Sequence, residues 1–209
     1  SRWCGWLLAA LSLGLAAEVT WIGASNGDWF AAGNWSGSGD YPRAGDQVWI
    51  TNGYVLLTNE TERMTSLLVS NATVTFTNWM TRLRSDSITV ANNGVLTHVP
   101  VDTNAAPGVT NRVWLDVQDL LVRTGGQINV KGKGFVFYQG PGSGNSDTAS
   151  GGSYGGKGGA ASGPVYGTAE APAEPGSGSR FLSFGTPAGA PGGGLVWIDA
   201  TGIVAIDGL

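Results

Sequence analysis

The chain has 209 residues and a formal net charge of −4, and these totals already exclude some classes of partner. A mildly acidic chain with few lysines argues against nucleic acid and against anionic membranes. With 35 glycines, nine tryptophans and only 12% charged residues, the composition favours strands and loops over helices.

The first 17 residues have the features of an export signal. Arg2 supplies a positive charge, residues 5–15 form a short apolar run, and two alanines follow it. The run is too short to span a bilayer comfortably, and a buried core helix is the alternative interpretation. We therefore predict a signal peptide at 1–17 and an exported mature chain without a membrane span. Removal of the signal peptide would also remove Cys4, the only cysteine, so the mature chain would contain no disulfide.

Residues 18–47 are dense in Trp, Gly and Asn. Broad indole rings on a loop-rich segment can cover the first, open core layer of a stack of strands. We therefore predict that 18–47 forms an N-terminal cap. The alternatives are that these tryptophans fill an ordinary core, or that they form a platform on which sugars stack.

The same segment resembles the opening part of autotransporter-like and related bacterial surface β-helix repeat proteins. The residues that carry the resemblance are Trp21, Gly27-Asp28-Trp29, Asn34-Trp35, Pro42, Gly45-Asp46 and Val48-x-Ile50. The resemblance implies a right-handed parallel β-helix on a protein that a Gram-negative type bacterium exports to its surface or to the medium.

Two copies of one short pattern follow at an offset of 21 residues, at 66–76 and 87–97. Each copy places apolar residues at relative positions 0, 2, 7 and 9 around a polar turn, although Thr97 departs from the pattern. This spacing predicts two short strands per copy. The five candidate units are Val48/Ile50/Val55/Leu57, Leu67/Val69/Val74/Phe76, Ile88/Val90/Val95/Thr97, Leu120/Val122/Ile128/Val130 and Val196/Ile198/Ile203/Ala205.

Steps of 19, 21, 32 and 76 residues separate these units, which is typical of β-helix coils of which the last two carry insertions. We therefore predict an all-β chain, namely the right-handed parallel β-helix that the resemblance implies. Its rungs occupy 48–131, a Gly-rich insertion occupies 132–194, and a last rung occupies 195–209. An antiparallel β-sandwich is the alternative, because Asn52-Gly53 and Asn93-Gly94 are hairpin-turn dipeptides.

The Gly-rich insertion holds more than half of the 35 glycines. Such a composition is typical of a flexible linker. Its aromatic residues, however, predict partial order, because they can clamp an irregular loop against the flank of the coil.

No pattern in the sequence predicts a catalytic, cofactor or metal site. His98, the only histidine, is expected at the surface, at the outer end of a rung. Asp116 and Asp119 lie three apart on a predicted strand and are therefore expected on opposite faces. Asp102, Asp116 and Arg123 are the residues that would have to converge from adjacent coils in a polysaccharide-cleaving enzyme; solvated outward positions are the favoured interpretation.

Asn71 and Asn92 occupy the same position in two copies of the unit. Asparagine is a common turn residue because its side chain bonds the local backbone. We expect the two side chains to stack as an amide ladder along the turn, which would join one coil to the next.

These features predict an exported, non-catalytic structural or adhesive surface scaffold that needs no cofactor and contacts an extracellular glycan or other surface proteins. A carbohydrate-binding or polysaccharide-cleaving β-helix protein is the alternative. Tryptophans and carboxylates clustered on one outer face would favour the alternative. A face of Thr, Ser and Asn, as in Thr73, Thr75, Thr77 and Thr89, would favour the scaffold. Because no polar cap follows the last rung, we expect the chain to continue into a longer repeat protein.

Overall fold

The structure is a computed structural model that describes residues 16–23, 25–37, 40–101, 111–144, 149–160, 162–183 and 186–208. For the short strands at 181–183 and 186–188 it describes the backbone alone. Outside the described residues lie the predicted signal peptide up to residue 15, which includes Cys4, and also Asp102.

The described residues are almost entirely strands and loops, so the chain belongs to the all-β class. A three-residue 3-10 helix, Ala32–Asn34, is the only helical element among them. The strands are β1 Glu18–Trp21, β2 Gly27–Asp28, β3 Trp35–Ser36, β4 Gln47–Ile50, β5 Gly53–Leu57, β6 Met64–Ser70, β7 Ala72–Phe76, β8 Leu83–Ala91, β9 Val95–His98, β10 Arg112–Val122, β11 Gln127–Ile128, β12 Phe181–Ser183, β13 Thr186–Ala188, β14 Leu195–Ala200 and β15 Val204–Ile206.

The strands form two main sheets and one small hairpin. The first sheet has the order β14-β10-β8-β6-β4-β1-β3, with β15 also paired to β10, and the second has the order β11-β9-β7-β5-β2. Every pair in the two main sheets is parallel except β1 with β3, so the arrangement is mixed. From β4 to β11 the chain alternates between the two sheets, so each step adds one strand to each sheet in turn.

The strand pairs contradict the antiparallel sandwich. The strands that flank Asn52-Gly53 do not pair with each other, because β4 pairs with β6 and β5 pairs with β7, both in parallel. The strands that flank Asn93-Gly94 lie in different sheets in the same way. Gly53 and Asn93 adopt the left-handed backbone conformation, with φ of 82° and 63°, and this conformation turns the chain from one sheet to the other instead of closing a hairpin.

The repeated unit aligns in the first sheet as the sequence predicts. Val48 pairs with Leu67, Leu67 with Ile88, and Ile88 with Leu120. All four side chains are buried. The predicted first apolar position of these units is therefore confirmed as a continuous core row.

In the second sheet the prediction for the third unit is wrong by one residue. Val74 pairs with Leu96, and Phe76 pairs with His98, so the core positions are Leu96 and His98 and not Val95 and Thr97. The physical reason lies in the turn before β9, where two consecutive asparagines adopt left-handed φ values. The turn therefore holds one residue more than the unit before it.

The prediction for the last unit is also wrong. Val196 and Ile198 do not align with Leu120, because β14 pairs with the first half of β10. In this register Val196 lies opposite Val113, and Ile198 lies opposite Leu115. It is β15 that aligns with the core row, with Val204 on Leu120, although Val204 itself is exposed. One long strand is thus matched by two short ones.

A change in the phase of burial explains how one long strand can match two short ones. In β10 the buried residues alternate up to Val117 and resume at Leu120, three residues later. In β6 the same step separates Met64 from Leu67. The steps are in register, because Met64 and Leu67 pair with Ser85 and Ile88 of β8, which in turn pair with Val117 and Leu120. The burial step thus lies at the same register in β6, β8 and β10. At this position the strand that pairs with β10 is interrupted and becomes β14 and β15.

Three tryptophans fill the core at the β1 end of the first sheet. Trp21, Trp29 and Trp35 are all buried, and Trp35 meets the other two edge to face at 4.9 and 4.8 Å between ring centroids. The indole N–H of Trp35 also donates to the carbonyl of Trp29 at 2.6 Å. Because the three rings are buried, they cannot form the platform for stacking sugars that was one alternative for this segment.

The Gly-rich insertion is held by hydrogen bonds between backbone segments. Phe135 N–H donates to Gly176 O at 3.0 Å, and Gly192 N–H donates to Phe135 O at 2.9 Å. A Cβ added at Gly192 would collide with Gly176 O, whereas one added at Gly193 would meet nothing within 4 Å. Where the insertion rejoins the two main sheets, which we together call the coil, Gly194 N–H donates to Val130 O at 2.8 Å.

Candidate functional site

The outer face of the first sheet carries three tryptophans around one arginine. Trp114 of β10 and Trp197 of β14 are direct neighbours across the strand pair. Trp79, in the turn between β7 and β8, joins them through Arg112, whose guanidinium carbon lies 3.9, 4.1 and 5.2 Å from the ring centroids of Trp114, Trp79 and Trp197. Together with Asp199, these four residues form what we call the tryptophan–arginine face.

Asp199 fixes the orientation of two of the rings. Its two carboxylate oxygens each accept one indole N–H, from Trp114 at 2.8 Å and from Trp197 at 2.9 Å. A bidentate carboxylate of this kind adds geometric specificity to the energy of charge-assisted hydrogen bonds. The two indoles are therefore set side by side before any ligand arrives.

Arg112 supports the rings from beneath. It is 6% exposed, and its Nε–H donates to the carbonyl oxygen of Trp79 at 3.1 Å. Burial lowers the pKa of Arg112, while the charge of Asp199 raises it and that of Arg82 lowers it. A guanidinium stays charged at neutral pH, so the aromatic faces stabilise a cation that has little access to water.

A network of ion pairs adjoins this face on the same sheet. Arg63 Nη1 lies 2.8 Å and Arg84 Nε 3.2 Å from the carboxylate of Asp116, and Arg82 lies 2.8 Å from Glu60. Arg82 also places its guanidinium 4.8 Å from the Trp114 ring centroid. The tryptophan–arginine face is therefore bordered by alternating charges.

The network keeps Asp116 ionised. Partial burial raises the pKa of Asp116, but the hydrogen bonds and charges of Arg63 and Arg84 lower it by more, so it lies below its ordinary value. A hydrogen bond to Asp116 is likewise the main reason why the pKa of Arg63 is raised. A carboxylate in this setting cannot act as a proton donor near neutral pH.

The structure places on one side of β10 the two carboxylates that were expected on opposite faces. Asp116 and Asp119 both lie outside the core because of the phase change in β10, so the prediction of opposite faces is wrong. The two carboxylates have different partners. Asp116 pairs with arginines, whereas an oxygen of Asp119 accepts the N–H of Ile203 at 2.7 Å. Asp116 is contacted by Arg63, Arg82 and Arg84, which lie in or just before β6 and β8, and not by Arg123.

His98 is buried, so its predicted surface position is wrong. Val99 O lies 2.6 Å from Nδ1, and Leu195 N–H donates to Nε2 at 3.2 Å. The ring proton therefore lies on Nδ1, which donates to Val99 O. Burial lowers the pKa of His98, and although the bond to Val99 raises it, the charge of Lys133 lowers it further. The neutral ring connects the coil to the end of the insertion.

The expected amide ladder forms between different partners. Asn93 Nδ2 donates to Asn71 Oδ1 at 3.3 Å, whereas Asn92 Nδ2 donates to Ser70 Oγ at 3.4 Å. The prediction that paired Asn71 with Asn92 missed the extra residue in the turn. Asn71 and Asn92 are instead joined through the backbone, where Asn71 N–H donates to Asn92 O at 2.8 Å.

The outer face of the second sheet differs from the first. Its central positions are occupied by Thr73 and Thr75, and Thr97 pairs with Thr75 across the strands. The hydroxyl of Thr97 donates to Asn129 O at 2.6 Å. The outer face of the second sheet thus combines threonines with Tyr54, Leu56 and Val95, whereas that of the first combines tryptophans with charged groups.

One signal in the sequence could have located the tryptophan–arginine face. ValTrpLeuAsp at 113–116 and ValTrpIleAsp at 196–199 are two copies of one pattern. They pair position by position in the structure. The search for units with the 0, 2, 7, 9 spacing aligned Val196 with another position and therefore missed the match.

Over the part of the chain that the structure describes, no group of three or more His, Cys, Asp or Glu is placed to hold a metal ion. Among those same residues, no helix is both long and apolar enough to cross a membrane.

Comparison with known proteins gives one similarity. The family model of the G8 domain matches residues 34–106, a segment that runs from just before β3 to beyond β9. No curated protein and no solved structure matches the chain significantly. Trp79 lies inside the matched segment, whereas Trp114 and Trp197 lie beyond it. Over residues 34–106 the chain is therefore similar to the G8 domain.

Proposed function

We propose that the chain is a segment of a right-handed parallel β-helix and serves as an exported, non-catalytic adhesive scaffold at the surface of a Gram-negative type bacterium. In this proposal the tryptophan–arginine face binds an extracellular glycan. The scaffold and the glycan-binding interpretations of the sequence are thereby combined.

The strand order supports the β-helix. Successive strands alternate between two sheets, and each pairs in parallel with the equivalent strand of the next unit. Parallel crossovers are right-handed in nearly all proteins. The resemblance of the opening segment to autotransporter-like proteins supports the same architecture and the exported location.

The single observation that carries the glycan proposal is the pair Trp114 and Trp197. Both rings stand on the outer side of adjacent strands, and Asp199 holds both indole N–H groups. The face of an indole is partially negative, so it attracts the partially positive C–H groups of a sugar ring. Trp197 keeps 36% of its surface exposed for such contact.

Polar groups at the edge of the face would orient the sugar. A shallow cleft of about 250 Å³ lies between Trp197 and the loop residues Ala171 and Pro172 of the insertion. Arg82, whose guanidinium lies 4.8 Å from the Trp114 ring centroid, adds a positive charge beside the face, while its Nε and Nη2 donate to Glu60. Apolar walls with a few fixed polar groups are the usual composition of a small-molecule site.

The carboxylates support a role without catalysis. Glycoside hydrolysis needs one carboxylic acid that stays protonated until it transfers its proton. Asp116 is held ionised by two arginines, and both oxygens of Asp199 are already occupied by indole N–H groups.

The test uses one tryptophan in the face and one outside it. Trp197→Ala removes a stacking surface, and Trp49→Ala removes an outward, half-buried tryptophan of β4 in the same sheet. We expect Trp197→Ala to weaken retention on a glycan array at least about tenfold, in line with the energetic weight of aromatic anchors in binding sites. Trp49→Ala should leave retention unchanged.

Two results would overturn the glycan proposal. One is that the wild-type protein is retained by no glycan on an array of bacterial and host saccharides. The other is that both alanine variants lose retention equally while their circular dichroism spectra remain native. Release of reducing sugar from a bound glycan would instead favour the polysaccharide-cleaving alternative.

A further inference from the structure

A second cavity lies between the turn after β7 and the Gly-rich insertion. Its walls include three aromatic rings from three separate segments: Trp79 from the turn, and Phe135 and Tyr166 from the insertion. Pro141 and Pro175 complete the apolar lining, and Glu174 supplies the only charged side chain among the lining residues. The cavity has a volume of about 290 Å³.

The ring of Tyr166 is held in place. Its hydroxyl donates to Pro175 O at 2.6 Å and accepts a hydrogen bond from Ser177 Oγ at 3.0 Å. Tyr154 also packs edge to face against it, with ring centroids 4.9 Å apart. Because Tyr166 is fixed on three sides, this wall of the cavity is formed before any ligand binds.

Glu174 brings a negative charge to this cavity. It lies in an exposed part of the insertion, and its carboxylate makes no salt bridge with any residue that the structure describes. Burial is the main reason why the pKa of Tyr166 is raised, and the charge of Glu174 contributes to the same shift. Glu174 is one of the residues that line the cavity, so its negative charge lies at the cavity wall.

The guanidinium that lies over the Trp79 ring does not occupy the cavity. Arg112 lies 4.1 Å from the ring centroid of Trp79, but it is absent from the residues that line the cavity. Its own guanidinium is covered by the tryptophan–arginine face and is 6% exposed. Within the described lining, the space is thus bounded by three aromatic rings, two prolines, one alanine and one carboxylate.

We propose that this cavity binds an organic cation, specifically a quaternary ammonium or a methylated ammonium group. Aromatic faces attract such cations through their quadrupoles, and the low cost of removing methylated ammonium groups from water favours them over a bare ammonium. Glu174 adds charge complementarity. The cavity shares Trp79 with the tryptophan–arginine face, but the proposal does not depend on glycan binding, because it uses neither Trp114 nor Trp197.

The experiment compares a cation with a neutral molecule of the same shape. Binding of choline and of 3,3-dimethylbutan-1-ol to the whole chain is measured by isothermal titration calorimetry and by ligand-observed NMR. We expect choline to bind and the neutral molecule to bind at least about tenfold more weakly, because the shape is shared and only the charge differs.

Two variants test the residues. Glu174→Gln should weaken choline binding about tenfold, and Glu170→Gln, an exposed carboxylate of the same loop that does not line the cavity, should leave it unchanged. Both positions are exposed, so neither change is expected to affect folding. The proposal is overturned if choline does not bind at millimolar concentration, if the neutral molecule binds equally well, or if the two glutamine variants behave alike.

Discussion

The parallel coil and the Gly-rich insertion are held together by different parts of the polypeptide. In the coil, side chains such as Val74, Phe76 and Leu96 are fully buried and pack across strands that pair in register. In the insertion, glycines such as Gly178 and Gly192 allow backbone segments to approach so closely that no side chain would fit between them. The coil is therefore sensitive to the loss of side-chain volume, and the insertion is sensitive to its gain.

The largest effect is expected from removing a core side chain of the coil. Phe76→Ala deletes a fully buried ring between the two sheets and should lower the free energy of unfolding by about 3–5 kcal/mol. Thr75→Ala, on the outer side of the same strand, should change it by less than about 0.5 kcal/mol. Denaturant unfolding measures both, and equal effects would show that the two sides of β7 do not differ as described.

The next effect comes from adding one methyl group to the insertion. Gly192→Ala places a Cβ against Gly176 O, and Gly193→Ala places one in open space. The first should destabilise the insertion by about 1–3 kcal/mol, as overpacking does elsewhere, and the second should have little effect.

Hydrogen exchange distinguishes the two glycine variants residue by residue. In Gly192→Ala the amides of Phe135 and Gly176 should lose protection, while those of β7 keep it. If the coil lost protection to the same extent, the two regions would unfold as one unit and the comparison between them would fail.

A smaller effect is expected at the corner between the two sheets. Asn71 has a φ of 48°, so Asn71→Ala should cost about 1 kcal/mol from the left-handed conformation alone. Asn71→Gly relieves that conformation but also removes the oxygen that accepts from Asn93. Thermal melts of both variants separate the two contributions, because a glycine variant as unstable as the alanine variant would assign the effect to the amide contact.

The smallest effect is a dependence of stability on pH at the junction of the two regions. Burial lowers the pKa of His98 below its ordinary value of 6.5, so the unfolded chain takes up a proton at a higher pH than the folded one. The contribution of His98 to stability is therefore complete above about pH 6.5 and decreases as the pH falls towards the lower folded-state pKa.

The groups around His98 and a variant define the pH test. Lys133 is the charged side chain that acts on the ring, and Leu195 N–H and Val99 O are its hydrogen-bond partners. His98→Gln should remove most of the change in unfolding free energy between pH 7 and pH 5. An equal slope in the variant would assign the pH dependence to other groups.

Much of the coil could be predicted because its period is visible in apolar residues. Val48, Leu67 and Ile88 follow one another at nearly constant steps, and they do pair. The error at Val95 arose because a turn of one extra residue leaves no apolar mark in the sequence. Left-handed asparagines can change the length of a corner without changing the strands on either side.

The candidate site was harder to predict because its residues are distant in sequence. Trp79, Trp114 and Trp197 meet only because β10 pairs with β14 across the whole insertion. Composition reveals many tryptophans but not which of them share a face. The partners of Asp116 were missed for the same reason, because they are also distant in sequence. Arg84 lies in β8, and Arg63 lies just before β6.

The hydrogen bond between Gly194 and Val130 has a consequence for how this chain can vary. It brings the two ends of the insertion to one point beside β11, so the distance that the insertion must span is the same whatever its length. Lengthening a loop whose ends are already fixed costs little, because closure entropy grows only with the logarithm of length. Loops of quite different size could therefore be exchanged at this point, giving the same framework a new surface while every layer of strands keeps its register.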